Sequence, residues 1–276
     1  MLQEQSSPTT GVGHALGWMI RRGVSLRASS EVTYRTVRLL SVLSGLLLWE
    51  WAGRNTAWSF ALPPASSVLG ALAQRLLDPE FWLGAFTTAQ AFVFGLALIV
   101  ATGIPAGLVI GRSATARRLT DPHLAFLLAV PAAPLVPLFM IVFGAGLAAR
   151  VATVFLFGIA VLVVNTAAGV RLAPRPLVRM AESFGATRTQ VFRRVVLPAA
   201  VPGVMAGLRL AAGRAVVGTV VSELIIISVG LGKMINQYSA SFDAPNLFAV
   251  MTVVLAAGLA VARAMNWAER KVVRWR

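Results

Sequence analysis

Four stretches of the chain, residues 81–111, 122–149, 151–170 and 244–262, contain no Asp, Glu, Lys or Arg. A helix advances about 1.5 Å per residue, so crossing the hydrocarbon core of a bilayer takes about 20 apolar residues. These four runs meet or approach that length. Two further apolar segments carry isolated charges: 39–57 holds Glu50 and Arg54, and 203–229 holds Arg209, Arg214 and Glu223. Lipid offers no hydrogen-bonding partner to a bare backbone, so the spanning form is the helix. Counting both charged segments, the sequence predicts an all-α polytopic membrane protein with about six transmembrane helices. The composition agrees. Only 13% of residues are charged and 57% are hydrophobic, whereas soluble domains carry about 25% charged residues.

The formal net charge is +15, which raises nucleic acid as a partner. Charge placement points to the membrane instead. With the N-terminus inside, six spans leave four inner segments rich in arginine: Arg21, Arg22, Arg27, Arg35 and Arg38; Arg112, Arg117 and Arg118; Arg171, Arg175, Arg179, Arg188, Arg193 and Arg194; and Arg263, Arg270, Lys271, Arg274 and Arg276. The outer segments hold Arg54, Arg75, Arg150 and Lys233. Such asymmetry is the positive-inside bias. It predicts a multi-pass protein of the cell membrane with both termini in the cytoplasm and lipid as a partner.

The chain has no cysteine, which excludes disulfides, thiolate metal sites and a cysteine nucleophile. His14 and His123 are far apart and lack nearby carboxylates, so they read as interfacial residues, and neither a metal nor a cofactor is expected. Residues 1–38 read as a cytoplasmic extension ahead of a transmembrane domain over 39–276. No compact apolar core precedes Leu39, so a cleavable signal peptide is not expected. Residues 14–27 form a short amphipathic piece suited to the inner surface, and 1–13 read as disordered or interfacial.

Leu62-Pro63-Pro64-Ala-Ser66-Ser67 predicts a turn and an N-cap. Val68, Leu69, Leu72 and Leu76 then fall on one face of a short surface helix. The second span contains Gly95, Gly103, Pro105 and Gly107, small residues that let helices pack closely in lipid. The third contains Pro131, Pro134 and Pro137, each of which removes a backbone donor. The reading is a broken helix lining a path, with a kinked packing helix as the alternative. Phe143-Gly144-Ala-Gly146 predicts a short outer turn, and Val229 to Lys233 an outer loop. Trp275 and its neighbouring arginines suit the headgroup layer.

Between the fourth and fifth spans, residues 172–198 form a basic, amphipathic loop. Pro174 and Pro176 suit a helix start. Leu177, Met180, Ala181 and Phe184 make one apolar face, and Gly185 is a left-handed terminator. Thr187-x-x-Gln190 is a capping-box pattern opening a second helix, with Val191, Val195 and Phe192 as its apolar face. Pro198 is expected to break that helix before the membrane. Three readings stand: a docking element for a cytosolic partner, a DNA-binding helix-turn-helix, or a solvated pair of interfacial helices. Both ends are tethered to spans, which would press a duplex against the bilayer, so nucleic acid is not expected.

The loop resembles that of ABC importer permeases, whose pattern is Glu-Ala-Ala, three residues, Gly, nine residues, Ile-x-Leu-Pro. Ala181, Gly185, Val195, Leu197 and Pro198 match it, while Arg179 and Met180 stand where Glu and the first Ala would be. Leu48-Trp-Glu50, Leu62-Pro63-Pro64, Gly103-Ile-Pro105-x-Gly107, the three prolines, Phe143-Gly144, Gly207-Leu-Arg209, Glu223-Leu and Gly230-Leu-Gly232 resemble the nitrate, sulfonate, taurine and thiamine-precursor branch. The resemblance covers residue 46 to the end. It implies a type I importer transmembrane domain: two permease subunits (a homodimer expected), two cytosolic ATPase subunits docked on the loops, and an extracytoplasmic solute-binding protein. ATP and magnesium would sit on the partner ATPase, and this chain would be no enzyme. Gly232-Lys233 is followed by Met234, with Ile227 where the first P-loop glycine would stand, so it is not a Walker A sequence. The implied cargo is a small anion of sulfonate, taurine or nitrate type. The alternatives are a thiamine-precursor-like pyrimidine, or a scaffold or channel uncoupled from an ATPase. The coupling residues implied are Arg179, Ala181, Phe184, Gly185, Val195, Leu197 and Pro198.

Charges at bilayer depth are costly and mark functional sites. On an ideal helix Arg214 and Glu223 lie on opposite faces about 13–14 Å apart, and Arg209 and Glu223 share a face about 21 Å apart. Each therefore needs a partner on another helix, Glu50 being one option, or water. The path candidates are Glu50, Pro131, Pro134, Pro137, Arg209, Arg214 and Glu223, with structural pairing as the competing role for the charged ones.

Overall fold

The structure is a computed structural model and describes residues 36–55, 61–226 and 229–272. The amphipathic piece at 14–27, His14, most of the N-terminal extension and the Arg274–Arg276 tail lie outside the described residues. The chain divides into two compact units, Met1–Ser66 and Ser67–Arg276.

In the first unit, residues 36–55 form helix α1, with Leu39, Leu40, Leu43 and Leu47 exposed. Trp49 Nε1 donates to the Pro63 carbonyl at 3.0 Å. The expected serine cap is replaced. The next helix begins at Ala65, and the Ser66 N–H and hydroxyl both donate to the Glu50 carboxylate, at 3.0 and 2.9 Å. Arg54 Nε pairs with the same carboxylate at 2.6 Å. Glu50 thus supplies the acceptor that a serine side chain was expected to give.

The helix that begins there is α2, Ala65–Leu76, and it buries Val68 and Ala71. Of the predicted apolar face, Val68 is buried and Leu72 half-buried, while Leu69 and Leu76 are exposed. Helix α3, Pro79–Arg112, runs 34 residues; the Asp78 side chain caps it by accepting from Glu80 N, and proline stands in its first turn. Ser113 ends α3 and caps α4, Ala114–Ala129, by accepting from Ala116 N at 3.1 Å.

The charge-free run 122–149 is not one straight span. Val130, ahead of Pro131, is extended at φ −69°, ψ 129°, as the clash with a following proline ring dictates. A 3₁₀ turn, Ala133–Leu135, and helix α5, Val136–Phe143, follow, with Pro134 and Pro137 in their first turns, where a missing N–H goes unmissed. The pair is bent by 93°. Gly144 at φ 74° then turns the chain into α6, Leu147–Arg171.

Helix α7, Arg175–Ser183, and helix α8, Arg188–Val191, follow. A π-helical stretch, Phe192–Val196, joins α8 to α9, Leu197–Ile226. Pro198 does not end the helix as expected, for Arg188–Ile226 runs unbroken over 39 residues. In the π stretch Leu197 N–H reaches back to the Phe192 carbonyl, so the hydrogen-bond ladder has already shifted where Pro198, with no N–H, enters the first turn of α9. The expected loop at Val229 to Lys233 is also helical: α10 spans Gly230–Ala240 and precedes α11, Ala244–Val272.

Among the described residues four helices are long and apolar enough to cross a membrane, or five if the bent pair counts as one. The expectation of about six holds as an approximation. Helix α6 is the centre of the second unit, packed between α3 and α9 around buried Ile99, Val154, Leu162, Ala211 and Ala215. Glycine permits that approach. A Cβ added at Gly203 would lie 2.6 Å from Gly169 Cα, and one at Gly107 would lie 2.5 Å from Thr166 Cβ. Helices in lipid gain adhesion from such close packing, because apolar burial alone gives them none.

Candidate functional site

The loop after α6 folds as its spacing predicts: helix, glycine turn, helix. Pro174 caps α7, and Pro176 stands in its first turn. Gly185 sits at φ 77°. Its N–H donates to Glu182 O at 2.9 Å, and the Ala186 N–H donates to Ala181 O at 3.1 Å. These two bonds are the Schellman pattern, which satisfies carbonyls the helix end would otherwise leave bare. The capping box is present in full: Thr187 N donates to Gln190 Oε1 at 2.8 Å, and Gln190 N to Thr187 Oγ1 at 3.4 Å.

The element is held from beneath by Val191, which is buried. The Arg112 guanidinium at the end of α3 stacks 4.2 Å from the Phe192 ring centre, a cation–π contact that ties the π stretch to the second span. The outward apolar side chains are bare: Leu177 is 47% exposed, Met180 54% and Phe184 84%. Ala181, Phe184, Gly185, Gln190, Arg194 and Val195 line a groove between the two short helices. Arg179 is exposed, its carbonyl accepting from Ser183 Oγ at 3.0 Å. Leu197 is half-buried and Pro198 exposed.

The structure sorts the charged candidates by partner. Glu50 is engaged by Arg54 and Ser66. Arg209 Nη1 lies 2.7 Å from Glu269 Oε2 on α11, with Asn266 Oδ1 at 3.5 Å. Glu223 lies with Arg150, whose Nη1 is 3.3 Å from Glu223 Oε1. That arginine also donates to Thr87 O at 3.2 Å. Thr88 Oγ1 and Gly232 N donate to Glu223 Oε2 at 2.8 and 3.1 Å, and Leu231 N donates to Thr88 Oγ1 at 2.9 Å. Arg150 and Glu223 are both buried. Arg214 is exposed on α9. Pro131, Pro134 and Pro137 are all exposed at the bend between α4 and α5.

Arg150 and Thr88 were missed as site residues. Arg150 was assigned to an outer segment, yet it stands in the first turn of α6 and is buried. The signal was its isolation: it alone separates two charge-free runs, 122–149 and 151–170. Among the described residues no group of three His, Cys, Asp or Glu side chains is placed to hold a metal ion.

The chain is similar to the taurine transport system permease protein TauC of Escherichia coli (strain K12), 29% identical over 94% of this chain and 92% of the relative. It is 31% identical to the riboflavin transport system permease protein RibX of Chloroflexus aurantiacus, over 83% of this chain and 86% of the relative. A solved structure of the MetNI methionine ABC transporter in an inward-facing conformation shares the fold, with TM-score 0.59, 22% identity, and coverage of 71% of this chain and 99% of the other. The family description "binding-protein-dependent transport system inner membrane component" matches residues 103–274. That span takes in the bent proline helices, the α7–α8 turn and the Arg150–Glu223 pair, and the chain belongs to this family, as a permease of the ABC importer type.

Proposed function

We propose that this chain works as the membrane half of an ATP-driven importer whose ATPase is a separate cytosolic subunit seated on α7 and α8. One observation carries the reading: Leu177, Met180 and Phe184 are exposed on a turn locked at both ends by a Schellman bond pair and a capping box. A rigid element that presents bare apolar side chains outside the membrane marks a protein–protein contact. ATP and magnesium belong to that partner, and the chain binds no cofactor of its own.

The remaining parts follow from the importer reading. A second permease subunit, expected to be another copy of this chain, completes the path, and an extracytoplasmic binding protein delivers the solute. On this reading the α7–α8 turn faces the cytoplasm, and both termini lie on that side. Its position at the head of the unbroken Arg188–Ile226 helix lets movement of the ATPase pass directly into a span, giving alternating access. The cargo is a small anion of taurine, sulfonate or nitrate type. The riboflavin relative makes an aromatic heterocycle the second candidate.

The test is uptake of labelled taurine and of labelled riboflavin into vesicles containing this chain with the ATPase and binding protein encoded beside it. ATP-dependent uptake of either supports the importer. The Arg179 departure favours one rival, an uncoupled channel, which predicts flux without ATP.

A further inference from the structure

Helix α9 carries three ionisable side chains, Arg209, Arg214 and Glu223. Two have found counter-charges on other helices, Arg209 with Glu269 and Glu223 with Arg150. Arg214 has neither an ion pair nor a side-chain hydrogen bond among the described residues. It stands 17 residues after Leu197 and 12 before Ile226, about 25 Å and 18 Å along the axis. That is bilayer depth, where an unpaired guanidinium facing lipid is costly.

The surface around Arg214 is open. Leu210, Gly213 and Val217 share its exposed side of the helix, and a Cβ built at Gly213 would meet nothing within 4 Å. The closely packed glycines of α9, Gly203 and Gly207, meet α6 about two to three turns earlier along the helix, so the open side at Arg214 begins where that contact has passed. A second copy docked symmetrically along this side would bring two guanidiniums toward one another, since a two-fold interface juxtaposes the same residue from each subunit. Two converging positive charges along a watery path attract an anion between them.

We propose that the Leu210–Gly213–Arg214–Val217 side of α9 lines the solute path and that Arg214 is the residue that holds the anionic group of the solute in transit. The guanidinium offers planar paired donors that match sulfonate, carboxylate or nitrate oxygens. This rests on the importer reading and sharpens it to one side chain. It also separates Arg214 from Arg209 and Glu223, whose charges are spent on structural pairs.

The chain has no cysteine, so single cysteines introduced at Gly213→Cys, Val217→Cys and Leu210→Cys report their surroundings unambiguously. The complex is treated in membranes with an anionic and a cationic methanethiosulfonate, each rate divided by that reagent's rate with a free thiol. The proposal predicts modification at Gly213→Cys and Val217→Cys, with the anionic reagent favoured about tenfold, the size expected for a unit charge acting at about 6 Å through water. Arg214→Gln should abolish the preference, Arg214→Lys should retain most of it, and millimolar taurine should slow the reaction. Inert cysteines at all three positions, the lipid-facing outcome, overturn the proposal, as does a preference unchanged by Arg214→Gln. If the cysteines are inert while an ATPase still co-purifies, the site fails and the importer reading stands. If they react with an anionic preference and no ATPase co-purifies, the site stands and the importer reading fails.

Discussion

Arg150 on α6 and Glu223 on α9 stand 3.3 Å apart, nitrogen to oxygen, with side-chain exposures of 5% and 1%. The pair is not isolated. Thr88 of α3 and the Gly232 N–H of α10 share the same carboxylate, so one buried charge links four helices. Glycine is required beside it. Gly230 sits at φ 88°, and side chains at Gly230 or Gly232 would collide with Glu223.

Removing one member leaves the other charged and buried, which typically costs about 3–5 kcal/mol. Glu223→Leu and Arg150→Leu should each lower thermal stability in detergent and membrane abundance sharply. The double substitution should recover much of the loss. The check is a double-substitution cycle on the melting temperature; additive losses would mean that the two side chains act separately.

The Gly169–Gly203 contact sets how closely α6 and α9 approach. Gly203→Ala places a methyl against backbone that cannot yield, and a loss of about 1–3 kcal/mol is expected from overpacking. Gly70→Ala is the control, because nothing lies within 4 Å of its Cβ position. It should be neutral, or stabilising by about 0.5–1 kcal/mol from the entropy glycine loses on folding in a helix. Tryptophan fluorescence melts of both variants decide.

The α7–α8 turn should separate coupling from folding. Gly185→Val forces a β-branched residue to φ 77° and costs about 1–2 kcal/mol locally, and Thr187→Ala removes a cap worth about 1 kcal/mol. The turn is exposed, so membrane abundance should hold for both while solute-stimulated ATP hydrolysis falls, further for Gly185→Val. A loss of abundance in proportion to the loss of coupling would point to a folding role instead.

The Arg209–Glu269 pair is half-exposed, at 43% and 28%, and exposed pairs contribute about 0–1 kcal/mol. Arg209→Ala should therefore leave stability nearly unchanged and uptake within about twofold. Uptake assays at matched expression distinguish this from Arg214→Ala, which is expected to abolish transport.

The local chemistry of the α7–α8 turn was legible residue by residue, because Gly185, Thr187 and Gln190 act on backbone groups only a few positions away. The bend at Pro131 was legible as a break for the same reason. Its angle was not, since a proline says where a ladder stops and not where the chain goes next. Pro198 misled because its effect depends on the π stretch before it, which no residue type announces. The Glu223 network was half legible: a carboxylate at that depth demanded a partner, but Arg150 lies 73 residues away, and only packing of α6 on α9 brings it near. Glu50 was one possible partner for the charges of the fifth span, and the structure gives it to Ser66 and Arg54 instead.

The central claim is that a separate ATPase sits on the bare apolar side of α7, and its most direct test is co-purification from membranes of a tagged chain carrying Phe184→Asp beside the unaltered chain. Phe184 is 84% exposed, so the substitution should leave the amount of folded permease unchanged. The account predicts an ATPase subunit eluting with the unaltered chain and lost, by tenfold or more, with Phe184→Asp. Equal retention of the ATPase by both chains, or its absence from both, contradicts it.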